Sequence, residues 1–312
     1  MTGAAPRGPS QREAPPAPRA VLGRLFRGER QGLLFVAPSL MLFALVLGFP
    51  MVEAVRLAFY KVQADFSLSY AGLANFEVAL ASRHFWNALA NTLMYTASSV
   101  VLHLLAGVLL ALTLNNPLVR GRLAFRIAFL LPWTLSFVVT GVTWRWIFNA
   151  EYGVLNAWLR QIGVLSQNVS WLGNDMLAMP AAVLVNVWRG YPFIMVMAYA
   201  GLQTIPREQL EASWVDGASR WATFRYVTLP NLRPVLVVAT VLDFIWMFVQ
   251  FDLIQVLTQG GPGRATELLS NLIYREAFAH YDFGMGSALA TLMLAIVLAL
   301  SVGYVRLVDR ER

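Results

Sequence analysis

The sequence predicts an all-α integral membrane protein with six transmembrane helices, and three observations lead to this fold class. Of the 312 residues, 58% are hydrophobic and only 13% are charged, whereas soluble globular chains carry about 25% charged residues. The mean hydropathy is +0.58. The apolar residues also form long runs that supply the roughly 20 residues a bilayer-crossing helix needs. This composition excludes a soluble enzyme, and the absence of cysteine excludes disulfides and thiolate metal sites.

Six apolar runs give the predicted spans in chain order. Residues 1–30 come first and are rich in Ala, Pro and Arg, which predicts a disordered basic tail. Residues 31–312 are predicted to form one membrane domain. Its spans are expected within residues 31–52, 85–119, 127–144, 176–206, 234–251 and 283–305. An even number of spans places both termini on the same side of the membrane.

The distribution of basic residues predicts the orientation of the spans. Of the 24 basic residues, 23 are arginine and one is Lys61. Sixteen lie in the two terminal segments and in the connections after the second and fourth spans, against six on the other side. Arg56 and Arg189 are not counted, because they lie in or at the edge of spans. Because cytoplasmic connections carry the excess of Lys and Arg, both termini and the connection after the fourth span are predicted to be cytoplasmic. The net charge of +7 follows from this asymmetry and does not indicate nucleic-acid binding.

The connection at residues 206–230 has the pattern of two short helices. Its apolar residues recur at three- and four-residue spacing, which is typical of an amphipathic helix. Gly217 permits a break between the two helices, and the second is expected to stop before Leu229 and Pro230. The pattern is compatible with a docking hairpin and equally with a helix lying on the membrane surface.

The same connection resembles the EAA loop of permease subunits in binding-protein-dependent ABC importers. Glu211, Ala212 and Ser213 are followed at the family's spacing by Gly217 and by a Leu-Pro pair. Ser213, where the family has Ala, is the one departure. The flanking residues 186–193 and 251–262 resemble the carbohydrate-uptake branch, of the MalF and UgpA type. The resemblance extends from about residue 31 to the C-terminus.

The resemblance implies a fold, a membrane and partner proteins. The fold would be the type I ABC importer (MetI-like) permease fold with a cytoplasmic EAA hairpin, in the cytoplasmic (inner) membrane of a bacterium or archaeon. The partners would be a second permease of the MalG or UgpE type, an ABC ATPase dimer and an extracytoplasmic solute-binding protein. The hairpin would couple to the ATPase through Glu211, Ala212, Ser213, Trp214, Asp216, Gly217, Trp221, Leu229 and Pro230.

The lysine content excludes ATP hydrolysis by a P-loop within this chain. A nucleotide-binding P-loop needs a lysine that reaches the terminal phosphates, and the only lysine here has no such context. No cofactor is therefore expected in this chain, and ATP and Mg would be bound by the partner ATPase. No His, Asp or Glu grouping has the spacing of metal ligands.

Ionisable residues inside spans indicate the solute path, because such groups are costly in a bilayer and face cavities or each other. Arg189 lies in the fourth span and Asp243 in the fifth, either as a structural ion pair or beside a polar cavity. His103, in the second span, is expected to form an interhelical hydrogen bond. By similarity with sugar-contacting positions of the family, the predicted cavity residues are Asn186, Gly190, Phe193, Asp243, Trp246, Met247 and Gln250, and Arg189 joins them as an ionisable residue inside a span.

The sequence thus predicts a transport subunit, not an enzyme, that imports a sugar or a sugar-like solute by alternating access. Glycerol phosphate, disaccharides and oligosaccharides all remain open, and Arg189 keeps an anionic solute among the alternatives. A secondary transporter or channel is the first rival, although it would leave the EAA hairpin without a role. An integral-membrane enzyme is the second, and no catalytic constellation in the sequence favours it.

Overall fold

The computed structural model describes residues 35–62, 67–116 and 118–309, with side chains to residue 307. The predicted basic tail, residues 1–30, lies outside the described residues. The chain divides into two compact units at Glu53. The described part of the first unit is helical and includes a π-helical turn at Ala44–Gly48. The second unit runs from Ala54 to the C-terminus.

Five described helices are long and apolar enough to cross a membrane, and a bent helix pair brings the number to six if the pair counts as one. They are named spans 1 to 6 in chain order. The five continuous helices are Phe35–Leu57 (span 1), Arg83–Asn115 (span 2), Ala178–Gln203 (span 4), Arg220–Phe248 (span 5) and Phe283–Asp309 (span 6). Span 3 is the pair Arg122–Thr134 and Phe137–Ile147. The all-α membrane fold predicted from the sequence is confirmed.

Span 3 corrects the expectation of a single helix over residues 127–144. Its two helices meet at an angle of 95°, and the break has a local cause. Pro132 lies in the last turn of the first helix, and the backbone becomes extended at Leu135 (φ −76°, ψ 140°) and Ser136 (φ −66°, ψ 154°). The Ser136 hydroxyl then accepts a hydrogen bond from the Val139 amide at 3.2 Å and so caps the second helix.

Span 5 corrects a second expectation, because the helix after Gly217 does not stop before Leu229. It begins at Arg220 and continues to Phe248. Residues Phe224–Thr228 form a π-helical turn in which the Leu229 amide bonds the Phe224 carbonyl. A π-helical turn contains one extra residue, so its backbone hydrogen bonds join residues five apart instead of four. This change in the hydrogen-bond pattern falls where Pro230 has no N–H to donate. The helix therefore passes through the proline without ending.

Short elements join the spans. Strands Tyr60–Val62 and Leu68–Tyr70 pair antiparallel, with Tyr60 opposite Tyr70. The Asn75 side chain donates to the carbonyls of Ala58 and Tyr60, each at 2.9 Å. The remaining short helices are Ala74–Ala81, Val154–Gln161, Arg207–Val215, Asp252–Leu257 and Leu269–Tyr274, the last continued by a π-helical turn at Arg275–Ala279.

Spans 2 and 4 pack along much of their length at the centre of the second unit. Three clusters of buried apolar side chains surround this pair. One joins spans 2, 4 and 5 around Leu114, Met195 and Leu232. The other two include the short helices that follow span 5. The first cluster holds together the end of span 2, the second half of span 4 and the first half of span 5, and the predicted polar residues lie outside it on the same spans.

Candidate functional site

A cavity of about 410 Å³ lies between spans 3, 4 and 5. The structure places all eight predicted solute-contacting residues on its wall. The wall comprises Trp133, Phe137, Asn186, Arg189, Gly190, Phe193, Asp243, Trp246, Met247, Val249, Gln250, Phe251 and Asp252. The sequence prediction did not include Trp133 and Phe137. They reach the wall because the break in span 3 bends the chain there.

Asp243 pairs with His103, not with Arg189, which corrects the ion pair considered from the sequence. The His103 Nδ1 atom lies 2.8 Å from the Asp243 Oδ2 atom, and Nε2 lies 3.2 Å from the Asn186 carbonyl oxygen. His103 is fully buried, so its hydrogen bonds have no competition from water. Three spans are thereby joined through one imidazole ring, in the interhelical role expected of His103.

Gly190 makes room for this ring. A Cβ atom at Gly190 would overlap the His103 imidazole. The glycine therefore allows span 4 to approach span 2 closely at the level of the Asp243 carboxylate.

Arg189 braces the break in span 3. Its Nε atom donates a hydrogen bond to the Leu135 carbonyl at 2.9 Å, and its guanidinium carbon lies 3.5 Å from the centroid of the Phe137 ring. Leu135 follows the C-terminus of the first helix of span 3, where a cation interacts favourably with the helix dipole. Among the described residues, no carboxylate forms an ion pair with Arg189.

Unsatisfied polar atoms and an aromatic pair complete the cavity wall. The Asn186 Oδ1 and Gln250 Nε2 atoms are buried and have no hydrogen-bond partner within the described part of the chain. The rings of Phe193 and Trp246 meet edge to face with centroids 4.9 Å apart. Amide groups and aromatic faces are the usual means of binding hydroxyl groups and apolar ring faces in pockets.

The predicted hairpin forms from Arg207–Val215 and the start of span 5. Gly217 has φ +71°, and the Ala218 amide donates to the Ser213 carbonyl at 2.9 Å, which is the Schellman ending of a helix. The Ser219 hydroxyl accepts from the Ala222 amide at 3.2 Å and caps the next helix. These two motifs fix a sharp turn between the arms.

Ser213 links the two arms of the hairpin. Its Oγ atom lies 3.1 Å from the Thr223 Oγ1 atom, and it also donates to the Leu210 carbonyl at 2.7 Å. The Asn231 side chain adds a second bond, from Nδ2 to the Gln209 Oε1 atom at 2.9 Å. The one departure from the family pattern therefore has a structural role that the sequence did not reveal.

Most of the predicted coupling residues are exposed at this turn. Trp214 and Trp221 are 63% and 71% exposed, and Val215 is 87% exposed. Glu211, Ala212, Asp216, Gly217 and Pro230 are also exposed, Leu229 is half-buried, and Ser213 is buried. Large apolar side chains grouped on an exposed surface are typical of a contact with another protein or a membrane.

A buried acidic side chain, Glu267, lies within the segment that follows span 5 in the chain. Glu267 contacts Arg275, with Oε1 and Nη2 2.7 Å apart, and Arg264, with Oε2 and Nη1 3.5 Å apart. Burial raises the pKa of Glu267, and the positive charges of Arg275 and Arg264 oppose that rise. The Asn91 side chain donates to the carbonyls of Arg264 and Glu267, each at 3.1 Å. These contacts attach the segment after Gly260, Gly261 and Pro262 to span 2.

A larger cavity of about 1050 Å³ lies between spans 2, 5 and 6. Its wall is apolar apart from Arg225, Arg233, Thr240 and Tyr304. None of the eight predicted solute-contacting residues lies on it. The predicted solute-contacting residues therefore all line the smaller cavity.

Comparisons with known proteins agree on one class of membrane protein. Residues 103–312 match a family described as binding-protein-dependent transport system inner membrane component. The trehalose/maltose transport system permease protein MalF of Thermococcus litoralis is 35% identical over 90% of this chain and 94% of its own. The sulfoquinovosyl glycerol transport system permease protein SmoG of Agrobacterium fabrum is 33% identical over 88% of this chain and 89% of its own.

A solved structure supports the fold over almost the whole chain. The structure is of a bacterial ABC transporter involved in the import of the acidic polysaccharide alginate, and one of its chains superimposes with a TM-score of 0.80 at 25% identity. The match covers 92% of this chain and 99% of that one. These similar proteins are components of transporters, not enzymes.

Proposed function

The chain belongs to the binding-protein-dependent transport system inner membrane component family, and from this membership we propose that it is the permease through which a sugar or sugar-like solute crosses the inner membrane. The family and the permease role predicted from the EAA loop are confirmed. The proposal for the solute is supported by the names of the similar permeases, which are those of saccharide and saccharide-glycerol transport systems. It is also supported by the cavity wall, where amide groups and aromatic rings meet.

One structural observation carries the proposed mechanism: span 5 runs without interruption from the hairpin to the cavity. It begins at Arg220 beside the turn and carries Asp243, Trp246 and Met247 on the cavity wall. At 1.5 Å per residue, the helix spans roughly 35 Å between Arg220 and Asp243. A displacement of the hairpin is therefore transmitted to the cavity by a continuous helix.

In the proposed cycle, a partner ATPase holds the hairpin and moves it as ATP is bound and hydrolysed. Glu211 pairs with a basic group of the ATPase, and Trp214, Val215 and Trp221 fill an apolar cleft on its surface. The cavity is exposed alternately to the two sides and receives its solute from an extracytoplasmic binding protein. ATP and Mg are bound by the ATPase, and no covalent chemistry takes place in this chain.

The proposed assembly contains a second permease of the MalG or UgpE type, which supplies the other side of the translocation path. The arginine distribution supports an orientation with both termini and the hairpin in the cytoplasm. A solute-binding protein and two ATPase subunits complete the importer.

Purification from native membranes tests the partners and the hairpin together. We expect the tagged protein to copurify with a second permease and an ATPase. Glu211→Ala and Gly217→Val should lose the ATPase while keeping the second permease, because the first removes a docking charge and the second places a β-branched residue at positive φ. Glu208→Ala is the matched control, since it removes an exposed carboxylate one turn away on the same helix. A protein that purifies alone and moves solute without ATP would favour a secondary transporter or channel.

A further inference from the structure

We propose that the solute is an acidic saccharide and that Arg189 binds its acid group. This inference rests on the proposed sugar transport and makes the substrate class narrower. The similar permeases do not decide the question, because their names include neutral sugars as well as acidic ones. The charges on the cavity wall favour an acidic solute.

The His103–Asp243 pair contributes no net charge to the cavity. The Nε2 atom of His103 faces the carbonyl oxygen of Asn186, which can only accept, so Nε2 carries a hydrogen. The 2.8 Å contact between Nδ1 and the Asp243 carboxylate requires a second hydrogen. Two hydrogens shared by an imidazole and a carboxylate make the pair neutral, whichever atom holds the second one.

Arg189 is then the uncompensated charge on the wall. Its guanidinium has five N–H donors, of which the hydrogen bond to Leu135 uses one. The helix end at Leu135 offers only a partial negative charge. Asp252 also lines the cavity, but its side chain is exposed, so water screens its charge. Arg189 is only half-buried, which leaves donors for a carboxylate, sulfonate or phosphate group.

The remaining polar atoms favour a saccharide over a simple anion. Asn186 Oδ1 is a buried acceptor and Gln250 Nε2 is a buried donor. Neither atom has a hydrogen-bond partner among the described residues. Buried polar atoms are costly until they find a hydrogen-bond partner. Sugar hydroxyl groups both donate and accept, so one ring can satisfy both atoms while it packs against Phe193 and Trp246. The acid group on that ring then meets Arg189.

A matched pair of disaccharides tests the proposal in the assembled importer. Cellobiose and cellobiouronic acid differ in one hydroxymethyl group, which is a carboxylate in the acid. Their affinities are measured by calorimetry on the purified complex of both permeases and the ATPase, without the binding protein, so that the binding protein cannot select the sugar. The variants are Arg189→Gln and Arg189→Lys. Arg145→Gln is the control, since it removes an exposed arginine of span 3 that lies off the cavity wall.

We expect the acid to bind roughly tenfold more tightly than cellobiose, because a charge-assisted hydrogen bond is stronger than a neutral one. Arg189→Gln should abolish the difference, Arg189→Lys should keep part of it, and Arg145→Gln should leave it unchanged. Equal binding of both sugars, or a preference that survives Arg189→Gln, would overturn the acidic class while leaving sugar transport intact. Binding of neither sugar by a complex that still hydrolyses ATP would also overturn the proposed binding of an acidic disaccharide at Arg189, and it would not contradict transport of another saccharide.

Discussion

His103 and Asp243 meet across 140 residues of sequence, with Nδ1 and Oδ2 2.8 Å apart and both side chains buried. This contact joins span 2 to span 5 at the level of the cavity. Through the second ring nitrogen it also reaches the backbone of span 4. The position of the Asp243 carboxylate on the cavity wall is therefore set by a residue that is not itself on the wall.

Removing one partner of this pair should destabilise the protein strongly. His103→Leu leaves the Asp243 carboxylate buried without its hydrogen bond, and the expected loss is about 3–5 kcal/mol in the free energy of unfolding. The double variant His103→Leu with Asp243→Leu should recover most of that loss, because no unpaired polar group remains. Thermal unfolding of the purified protein in detergent measures both. If the double variant is no more stable than His103→Leu, the contact between His103 and Asp243 does not contribute to the stability of the protein.

Gly190→Ala should disturb the same contact from the opposite side. The added Cβ would overlap the His103 ring, and overpacking of this kind typically costs about 1–3 kcal/mol. Gly303→Ala in span 6 is the matched control, since a Cβ there meets nothing within 4 Å. Thermal unfolding of the two variants should give a lower transition temperature for Gly190→Ala alone. Equal transition temperatures would show that the close approach of spans 2 and 4 is not required.

The hydroxyl groups of Ser213 and Thr223 should be energetically coupled. Each single variant, Ser213→Ala or Thr223→Val, removes the 3.1 Å contact between the arms, and a hydrogen bond of this kind contributes about 0.5–1.5 kcal/mol. The double variant should therefore cost less than the sum of the single ones. Hydrogen exchange of the hairpin amides measures the three variants. If the effects of the two single variants on hairpin stability are strictly additive, Ser213 does not link the two arms.

The sequence predicted the spans, the family and the position of the hairpin, because each depends on local patterns of hydropathy and on motif spacing. It did not predict the partner of Asp243, since Arg189 and His103 are both plausible until the relative rotation of three helices is known. The break in span 3 and the passage of span 5 through Pro230 were also missed. Both depend on the backbone conformation that the chain adopts near a proline, and the tertiary structure decides that conformation.

Glu267 should make the stability of the protein depend on pH. Burial raises the pKa of Glu267 in the folded protein above its ordinary value of 4.5, so the folded state holds the proton more tightly than the unfolded state. The contribution of the protonated carboxyl to stability is then complete below the ordinary pKa and is lost as the pH rises through the raised value. The transition temperature of the unaltered protein, measured relative to that of Glu267→Gln, should therefore fall as the pH rises through this interval.

Glu77→Gln is the control for this titration, because Glu77 is an exposed carboxylate on the short helix before span 2. It should leave the pH profile of the transition temperature unchanged. A profile that is the same in Glu267→Gln and the unaltered protein would show that another group is responsible.

Uptake by reconstituted vesicles tests the central claim most directly, namely that the hairpin transmits energy from ATP hydrolysis to the cavity. The complex is reconstituted with its binding protein, and the solute taken up is measured with ATP enclosed, without ATP, and with an imposed proton or sodium gradient in place of ATP. We predict uptake only with ATP, and its loss in Glu211→Ala but not in Glu208→Ala. Uptake that follows an ion gradient without ATP, or that is unaffected by Glu211→Ala, would contradict the account.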